Sequence, residues 1–243
     1  MKRELQSIFP IAIALAAVIA TPGAPQARPA DSAKDRVAEA ASQSAKAAKA
    51  FDQIMQIPDK AIPQELLARA KAIAVFPQVI KVALNVGGEG GRGVVSRRVA
   101  EGWGDPVFIR GGGGSVGPQI GASATDFVLL LMNDESVEGL MKDKFELGGE
   151  ASIAAGPVGR NASAGTDALM KAAILSYSRS RGLFAGFNLK GIVLKPEDDL
   201  NLAVYSKTAR ELLSDQTSAA PEPNLRAFPQ ALGRYADKST DQR

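Results

Sequence analysis

Glycine is concentrated in one part of this chain, and that concentration limits the folds open to it. Thirteen of the 24 glycines lie between Gly87 and Gly121, in a stretch that otherwise alternates apolar and polar residues as β-strands do. Glycine inside strands is typical of bulges, tight bends and close approaches between backbones. The middle of the chain is therefore predicted to form a strongly curved sheet, with residues 87–91 as the turn of a β-hairpin.

Helices are predicted before this region. Apolar and small residues recur at three- and four-residue steps from Val37 to Met55, which predicts a helix ended by Pro58. A second helix is predicted from Pro63 to Val75. The elements predicted after it are strands at 80–86, 92–99, 106–110, 116–122 and 126–132, a helix from Asn133 or Asp134 to Met141, a hairpin of residues 172–180 and 183–194 around Arg181-Gly182, and helices at 196–206 and 208–214.

The predicted fold class is α+β. N-terminal helices pack on a strongly curved, mainly antiparallel β-sheet in a single domain, with closure toward a barrel left open. In the hairpin, one face carries apolar residues and small serines and is expected to be buried. The other face carries Tyr177, Arg179 and Lys190 and is expected to be polar.

The two ends of the chain differ in composition from its middle. Lys2 and Arg3 precede an apolar stretch that ends at Ala20, with Val18 and Ala20 at the −3 and −1 positions of a small-residue cleavage site. The apolar stretch has 13 residues (8–20), fewer than the roughly 20 that span a bilayer. We predict a cleaved signal peptide at 1–20, a flexible leader at 21–30, a folded domain at 31–214 and a loose C-terminal tail at 215–243 with one weak helical patch at 228–235. The mature protein is expected to be exported to the periplasm or the exterior, and not to be a lipoprotein, because a lipoprotein needs a cysteine at the cleavage point.

Composition excludes several kinds of chemistry. The chain has no cysteine and no histidine, which removes thiolate nucleophiles, zinc–thiolate sites, imidazole bases and histidine-ligated metals. Residues 113–117 match G-x-S-x-G, but the histidine that a hydrolase of that type needs is missing. Residues 88–93 match G-x-G-x-x-G, but a strand pattern follows instead of a helix. We predict no catalytic residue, no metal and no cofactor, and the net charge of +3 is too small for a dedicated nucleic-acid binder.

Several blocks of sequence, in order along the chain, resemble the SYLF domain family, whose members include the Ysc84-type actin-binding domains. The strongest block is residues 171–191, KAAILSYSRSRGLFAGFNLKG. The remaining blocks are residues 70–77, 87–93, 114–121, 126, 132–134, 154–160 and 201–205. The resemblance covers roughly residues 62–206 and so identifies residues 31–214 as a SYLF-like domain of an exported bacterial member.

The resemblance implies binding of membrane lipids, notably phosphoinositides, and in the fungal members binding of actin. Basic residues are the one functional signal that the chain itself adds: residues 160–195 contain six Lys or Arg against one acid. Cations beside the backbone N–H groups of a glycine-rich loop are able to hold a phosphate. The candidate lipid-binding residues are Lys71, Lys81, Arg160, Arg179, Arg181 and Lys190, and the candidate anion-contacting backbone lies at Gly114, Ser115 and Gly117.

A more ordinary interpretation of the same cations is a solvated sheet face, or pairing of the arginines with acids such as Asp126. The function predicted is non-catalytic binding of anionic phospholipid, a phosphoinositide-like or other acidic head-group, at the surface of the cell envelope. Two alternatives stay open: a structural or protein-interaction module, marked by an exposed apolar patch without convergent cations, and an enzyme of unknown chemistry, marked by clustered carboxylates or lysines in a pocket.

Overall fold

The computed structural model describes residues 33–58, 61–158, 171–180, 189–214 and 223–236; within these ranges the side chains of 82–86 and 115–122 are left aside. All of them belong to one unit, Ser32–Arg243. The described helices are α1 (Ala33–Met55), α2 (Gln64–Arg69), α3 (Asp134–Leu140), α4 (Asp198–Tyr205), α5 (Ala209–Ser214) and α6 (Ala227–Ala236), the last preceded by a 3-10 turn at Pro223–Arg226. The described strands are β1 (Ala72–Val99), β2 (Gly102–Trp103), β3 (Val107–Leu131), β4 (Phe145–Glu146), β5 (Ile153–Ala155), β6 (Ile174–Ser180) and β7 (Val193–Pro196).

β1 and β3 form the centre of the sheet. They pair antiparallel from Ala72 opposite Leu131 to Val95 opposite Val107. The other edge of β3 pairs antiparallel with β6 near one end and with β7 near the other, and β5 pairs parallel with β6. β2 and β4 add short antiparallel pairings to β1 and β7. The predicted fold class, α+β with a strongly curved and mainly antiparallel sheet in a single domain, is confirmed.

Helices cover both faces of the first part of β1. Ile73 and Val75 pack in a core with α1, α2, α4 and α6, whereas Ala72, Ala74 and Phe76 pack in a second core with α3 and α5. A strand buried on both faces is a continuous apolar run without alternation, and periodicity alone does not separate such a run from a helix. The predicted helix from Pro63 to Val75 is therefore wrong beyond Arg69, where α2 ends.

The glycine run at 87–91 is not a turn, and this prediction is also wrong. The run lies inside β1, and three glycine pairs face each other across the β1–β3 ladder: Gly88–Gly114, Gly90–Gly112 and Gly91–Gly111. The chain reverses after Val99 instead. A Cβ at Gly93 would lie 2.5 Å from the ring of Phe76, and one at Gly91 would lie 2.9 Å from Val79 Cγ2. Glycine is needed at these two positions because the sheet curls, so that side chains from the first part of β1 pack directly on the backbone of its later part.

A β-bulge interrupts β1 after Phe76. Pro77 and Gln78 together face the single residue Asp126, since Phe76 pairs with Phe127 and Val79 pairs with Thr125. Gln78 takes a left-handed φ of 52°, a conformation that costs free energy in a residue other than glycine and is often found at functional sites. The extra residue reverses the alternation of side chains between the two faces of the strand.

The C-terminal segment is not loose where the structure describes it. The predicted helical patch at 228–235 is confirmed as part of α6, but Phe228 is fully buried and packs edge-on against Phe51 of α1. Ser44 of α1, also fully buried, donates to the carbonyl of Leu225 (2.6 Å) and accepts from the N–H of Phe228 (3.0 Å). Residues 223–236 are therefore part of the core, and the prediction of a tail is wrong for them. The prediction went wrong because the residues around this helical patch are mostly polar, although the helix itself has an apolar face.

The hairpin predicted at 172–194 is only partly observed. β6 is present as predicted, but residues 181–188, which carry the proposed turn, lie outside the described residues. The described end of the returning segment, β7, pairs with β3 and β4 and not with β6. Tyr177 is 2% exposed, so the face of β6 predicted to be polar is buried for most of its length, since Leu175 and Tyr177 pack in the same core as α1.

The other predicted helices are confirmed. Asn133 caps α3, its Oδ1 accepting from the N–H of Ser136 (2.9 Å). α4 and α5 occur near their predicted positions. The buried side-chain amide of Asn201 joins α4 to the sheet, since it accepts from the N–H of Phe108 (2.9 Å) and donates to that residue's carbonyl (3.0 Å). The signal peptide predicted at 1–20 and the leader at 21–30 lie outside the described residues.

Candidate functional site

An open groove of about 500 Å³ lies between α1 and the bulge of β1. We call it the α1 groove. Its lining consists of Lys46, Lys49, Ala50 and Gln53 from α1, Pro77 and Gln78 from the bulge, Ala124 and Asp126 from β3, and Arg179 from β6. The groove therefore collects side chains from four separate segments, two of which contribute cations.

Asp126 organises the wall of the groove. Its Oδ1 accepts from the N–H of Gln78 (2.9 Å), and its Oδ2 accepts from Nη1 of Arg179 (2.9 Å). The same Nη1 donates to Oε1 of Gln53 on α1 (2.6 Å). The side chains of Arg179 and Asp126 are 22% and 13% exposed, so solvent screens this ion pair less than a surface pair. Asp126 thus holds both the bulge and the guanidinium in place, and the pairing of an arginine with Asp126 that was kept as an alternative does occur.

Lys46 and Lys49 supply the exposed charge of the groove. Residues three apart on a helix lie on the same side, and both lysines are exposed. Within the described part of the chain neither ammonium forms an ion pair. With Arg179 these lysines make three cations against the carboxylate of Asp126, a formal charge of +2 (3 − 1). The groove therefore attracts anions, with one fixed guanidinium and two long, adaptable side chains.

A second pocket opens on the other face of the sheet and is different in character. It is lined by the apolar side chains of Phe76, Val79, Phe127, Leu129, Leu147, Leu189, Ile192 and Leu194, with Gly90, Gly111, Gly112 and Glu89. Its free space is only about 20 Å³, enough for roughly one water-sized sphere. Burial raises the pKa of Glu89, and the positive charge of Lys81 opposes that shift. This pocket is too small for a phospholipid head-group, so the α1 groove is the better candidate.

The four predicted lipid-binding residues that the structure describes lie at different places in the fold. Of these residues Arg179 lines the α1 groove. Lys71 lies at the start of β1, 3.5 Å from Oδ2 of Asp134. Lys81 is half-buried on β1, and Lys190 is exposed beside Gly148. Arg160 and Arg181 lie outside the described residues.

The backbone predicted to contact an anion is not in a loop. Gly114 and Ser115 lie within β3, opposite Gly88 and Gly87 of β1, and Gly117 lies in a second bulge between the pairs Leu84–Ile120 and Val86–Val116. The backbone of Gly114 and Ser115 therefore belongs to an antiparallel ladder. The expectation of an open glycine-rich loop is wrong, because glycines on facing strands pair with each other.

Four residues of the α1 groove were not among the predicted site residues: Lys46, Lys49, Gln53 and Gln78. The two lysines carried a usable signal, since their i, i+3 spacing places them together on the polar side of a clearly predicted helix. Gln78 carried none, because its role depends on the pairing of β1 with β3. α1, the bulge and β6 meet at one groove only in the tertiary structure, so local sequence patterns do not predict this groove.

Within the described ranges no group of three or more acidic side chains is arranged to hold a metal ion. Among the described helices none is both long and apolar enough to cross a membrane.

Comparisons with known proteins identify relatives. Residues 112–235, about half of the chain, match the family described as "Ysc84: Las17-binding protein actin regulator". An SH3 domain-containing protein of Schizosaccharomyces pombe is 39% identical over 175 residues, covering 69% of this chain and 40% of that protein. The rat SH3 domain-containing YSC84-like protein 1 is 37% identical over 176 residues, covering 70% of this chain and 52% of that protein. Protein YSC84 of Saccharomyces cerevisiae is 34% identical over 176 residues, covering 69% and 37%.

The chain spans about half or less of the length of these relatives. None of the three has the name of an enzyme. The family match covers β6, β7, α4, α5 and α6 together with most of β3, so it includes two of the segments that form the α1 groove. On the extent of this match, the chain belongs to the Ysc84 family, the family of SYLF domains that its sequence resembles.

Proposed function

We propose that this protein binds the head-groups of anionic phospholipids at a membrane surface, without catalysis, through the α1 groove. The observation that carries the proposal is the convergence of Lys46, Lys49 and Arg179 on one open groove. Hydrogen bonds from arginine and lysine to phosphate oxygens are charge-assisted and stronger than neutral ones. A groove of about 500 Å³ is large enough for a phosphorylated head-group.

Arg179 is pre-organised for this role. Its contacts with Asp126 and Gln53 fix the guanidinium before any ligand arrives, so binding loses less side-chain entropy there than at a free arginine. The lysines adapt to the ligand from the opposite wall. Asp126 is a poor candidate for a catalytic base, since each of its oxygens already accepts a hydrogen bond. This supports a binding role over an enzymatic one.

A protein-interaction module is the second candidate function, because the family description names Las17 binding. Such a module would present an exposed apolar patch. Among the side chains that the structure describes, which leave out residues 82–86 and 115–122, only Ile80 and Leu202 are large, apolar and exposed, and they lie on different elements. The cationic groove therefore supports lipid binding better. We further propose that the protein acts outside the cytoplasm, at the cell envelope, on the basis of its N-terminal sequence.

Removing the two lysine charges tests the site. Lys46→Gln with Lys49→Gln keeps most of each apolar stem but deletes both charges. Since a lysine near an anionic membrane contributes about 1 kcal/mol, the pair should lower affinity for phosphatidylglycerol-containing vesicles by about 2 kcal/mol, or roughly 30-fold. Co-sedimentation with vesicles of equal parts phosphatidylglycerol and phosphatidylcholine measures it.

The matched control is Lys144→Gln with Lys195→Gln. Both of these lysines are exposed and lie outside the α1 groove, so this variant changes net charge by the same amount. It should bind nearly as the unmodified protein does. Binding should also weaken with salt, because the Debye length falls from about 10 Å at 0.1 M to about 3 Å at 1 M. Equal losses in the two double variants would show that net charge, not the groove, governs binding.

A further inference from the structure

Ile80 lies exposed on the groove side of the sheet. It pairs with Ala124 across the β1–β3 ladder, and residues paired in this way direct their side chains to the same face. Ala124 lines the α1 groove. The side chain of Ile80 is 57% exposed, the highest value among the large apolar side chains described. An apolar tip therefore stands on the same face as the cationic groove.

The bulge is what puts Ile80 there. Ahead of the bulge, Phe76 packs in the core beneath the opposite face, and after it Val79 packs in that same core. Without the extra residue, regular alternation would place Ile80 on the side of Phe76 and turn Val79 toward the groove. The bulge at the strained Gln78, which Asp126 holds, therefore directs Val79 into the core and Ile80 toward the groove.

The surroundings of Ile80 suit contact with a bilayer. Its cross-strand partner Ala124 is small, uncharged and exposed, so this partner does not keep a membrane away from Ile80. Lys46 and Lys49 stand exposed on the groove, where phosphate groups of the bilayer surface would meet them. An apolar tip with nearby cations is the usual composition of surfaces that rest in the membrane interface.

We propose that Ile80 inserts into the acyl region of an anionic bilayer while the α1 groove holds a head-group, so that the ligand is a lipid within a membrane and not a free phosphate ester. This rests on the proposed function and adds the mode of docking. The bulge fixes the distance between the inserted tip and the cations. The affinity for the membrane then has an electrostatic contribution from the groove, which salt weakens, and an apolar contribution from Ile80, which salt does not weaken.

The first test is Ile80→Asn, with Leu202→Asn as its control. Leu202 is the other exposed large apolar residue, 46% exposed, and lies on α4. Ile80→Asn should weaken binding to vesicles of equal parts phosphatidylglycerol and phosphatidylcholine roughly tenfold, as loss of a partly buried isoleucine predicts, with an unchanged salt dependence. Leu202→Asn should bind normally. Equal weakening by both variants would contradict a specific role for Ile80.

The second test detects insertion directly. In Ile80→Trp, tryptophan emission should shift to shorter wavelength on adding the same vesicles and be quenched by lipids brominated on the acyl chains. Glycerol 3-phosphate should produce neither change. The native Trp103 is 4% exposed and adds a constant background.

The outcomes separate the two proposals. Loss of binding in the double lysine variant, with normal binding of Ile80→Asn and no quenching of Ile80→Trp, would refute insertion and leave head-group binding in place. Unchanged binding in both the lysine and the Ile80 variants would refute both.

Discussion

At the scale of single residues, Glu89 is the carboxyl whose surroundings fit its charge least. One of its oxygens, Oε2, is buried without a hydrogen-bond partner, in a pocket lined otherwise by apolar residues and glycines. Burial raises its pKa above the ordinary value of 4.5, against the opposing effect of Lys81. Between its unfolded-state and folded-state pKa values, such a carboxyl binds more protons in the folded protein than in the unfolded chain. The stability of the fold therefore falls as pH rises through this range.

Glu89→Gln should therefore stabilise the protein above the folded-state pKa and leave stability unchanged below the unfolded value. Thermal melts at pH 8 and at pH 3.5 measure the difference. Glu101→Gln, at an exposed position in the turn after β1, is the control and should change neither melt. A gain at pH 3.5 as large as that at pH 8 would mean that packing, not ionisation, explains the effect.

Residue-level prediction from the sequence succeeded where the chemistry is local. The cap at Asn133 and the pairing available to Arg179 both followed from residue types and spacing. It did not show that Lys71, Lys81 and Arg179 lie apart, because they resemble one another as cations and only the pairing of strands separates them in space; their binding of lipid stays a prediction. Residue type predicts what a side chain is able to do but not which neighbours it meets.

At the scale of elements, the contact between α1 and the C-terminal segment is the least expected, and one buried hydroxyl makes two of its hydrogen bonds. Ser44→Ala would leave the carbonyl of Leu225 and the N–H of Phe228 without their partner in a buried site. An unsatisfied buried polar group costs about 1–3 kcal/mol, so the free energy of unfolding in urea should fall by roughly that amount.

Ser42→Ala is the control for this prediction. Ser42 also lies on α1, two residues before Ser44, but is exposed, and a surface change of this kind usually stays within about 0.5 kcal/mol. If Ser44→Ala were as stable as Ser42→Ala, these two hydrogen bonds would contribute little to the stability of the fold, and the contact would rest on apolar packing.

Elements were predicted well when one face is apolar and the other polar. α1 and α3 have such faces and were found from the sequence. The first part of β1 is buried on both faces, and its apolar run led to the wrong prediction of a helix. The glycine run in its middle led to the wrong prediction of a turn. In both cases the missing information was the partner strand, since β1 is identified as one strand only by its pairing with β3.

At the scale of the whole molecule, we propose that the chain is exported and that its signal peptide is removed. Cleavage after Ala20 should give a mature chain that begins at Thr21, as the basic start, short apolar stretch and Val18–Ala20 pair predict. N-terminal sequencing of protein recovered from the periplasm or medium measures this. Replacing Ala20 with Arg should block cleavage, and recovery of chains that begin with Met1 from the unmodified protein would contradict the proposal.

The facing glycines of β1 and β3 have a consequence for how this sequence tolerates change. Glycine pairs have no side chains to fix a register, so the register depends on the apolar blocks on either side, around Phe76–Phe127 and Val94–Phe108. One residue more or fewer in either run would put those two blocks out of phase, unless a bulge absorbed the difference as it does at Pro77 and Gln78. The glycine runs therefore act as spacers: a small residue is able to replace some of their members, but a change in the length of one run is tolerated only where a bulge accommodates it.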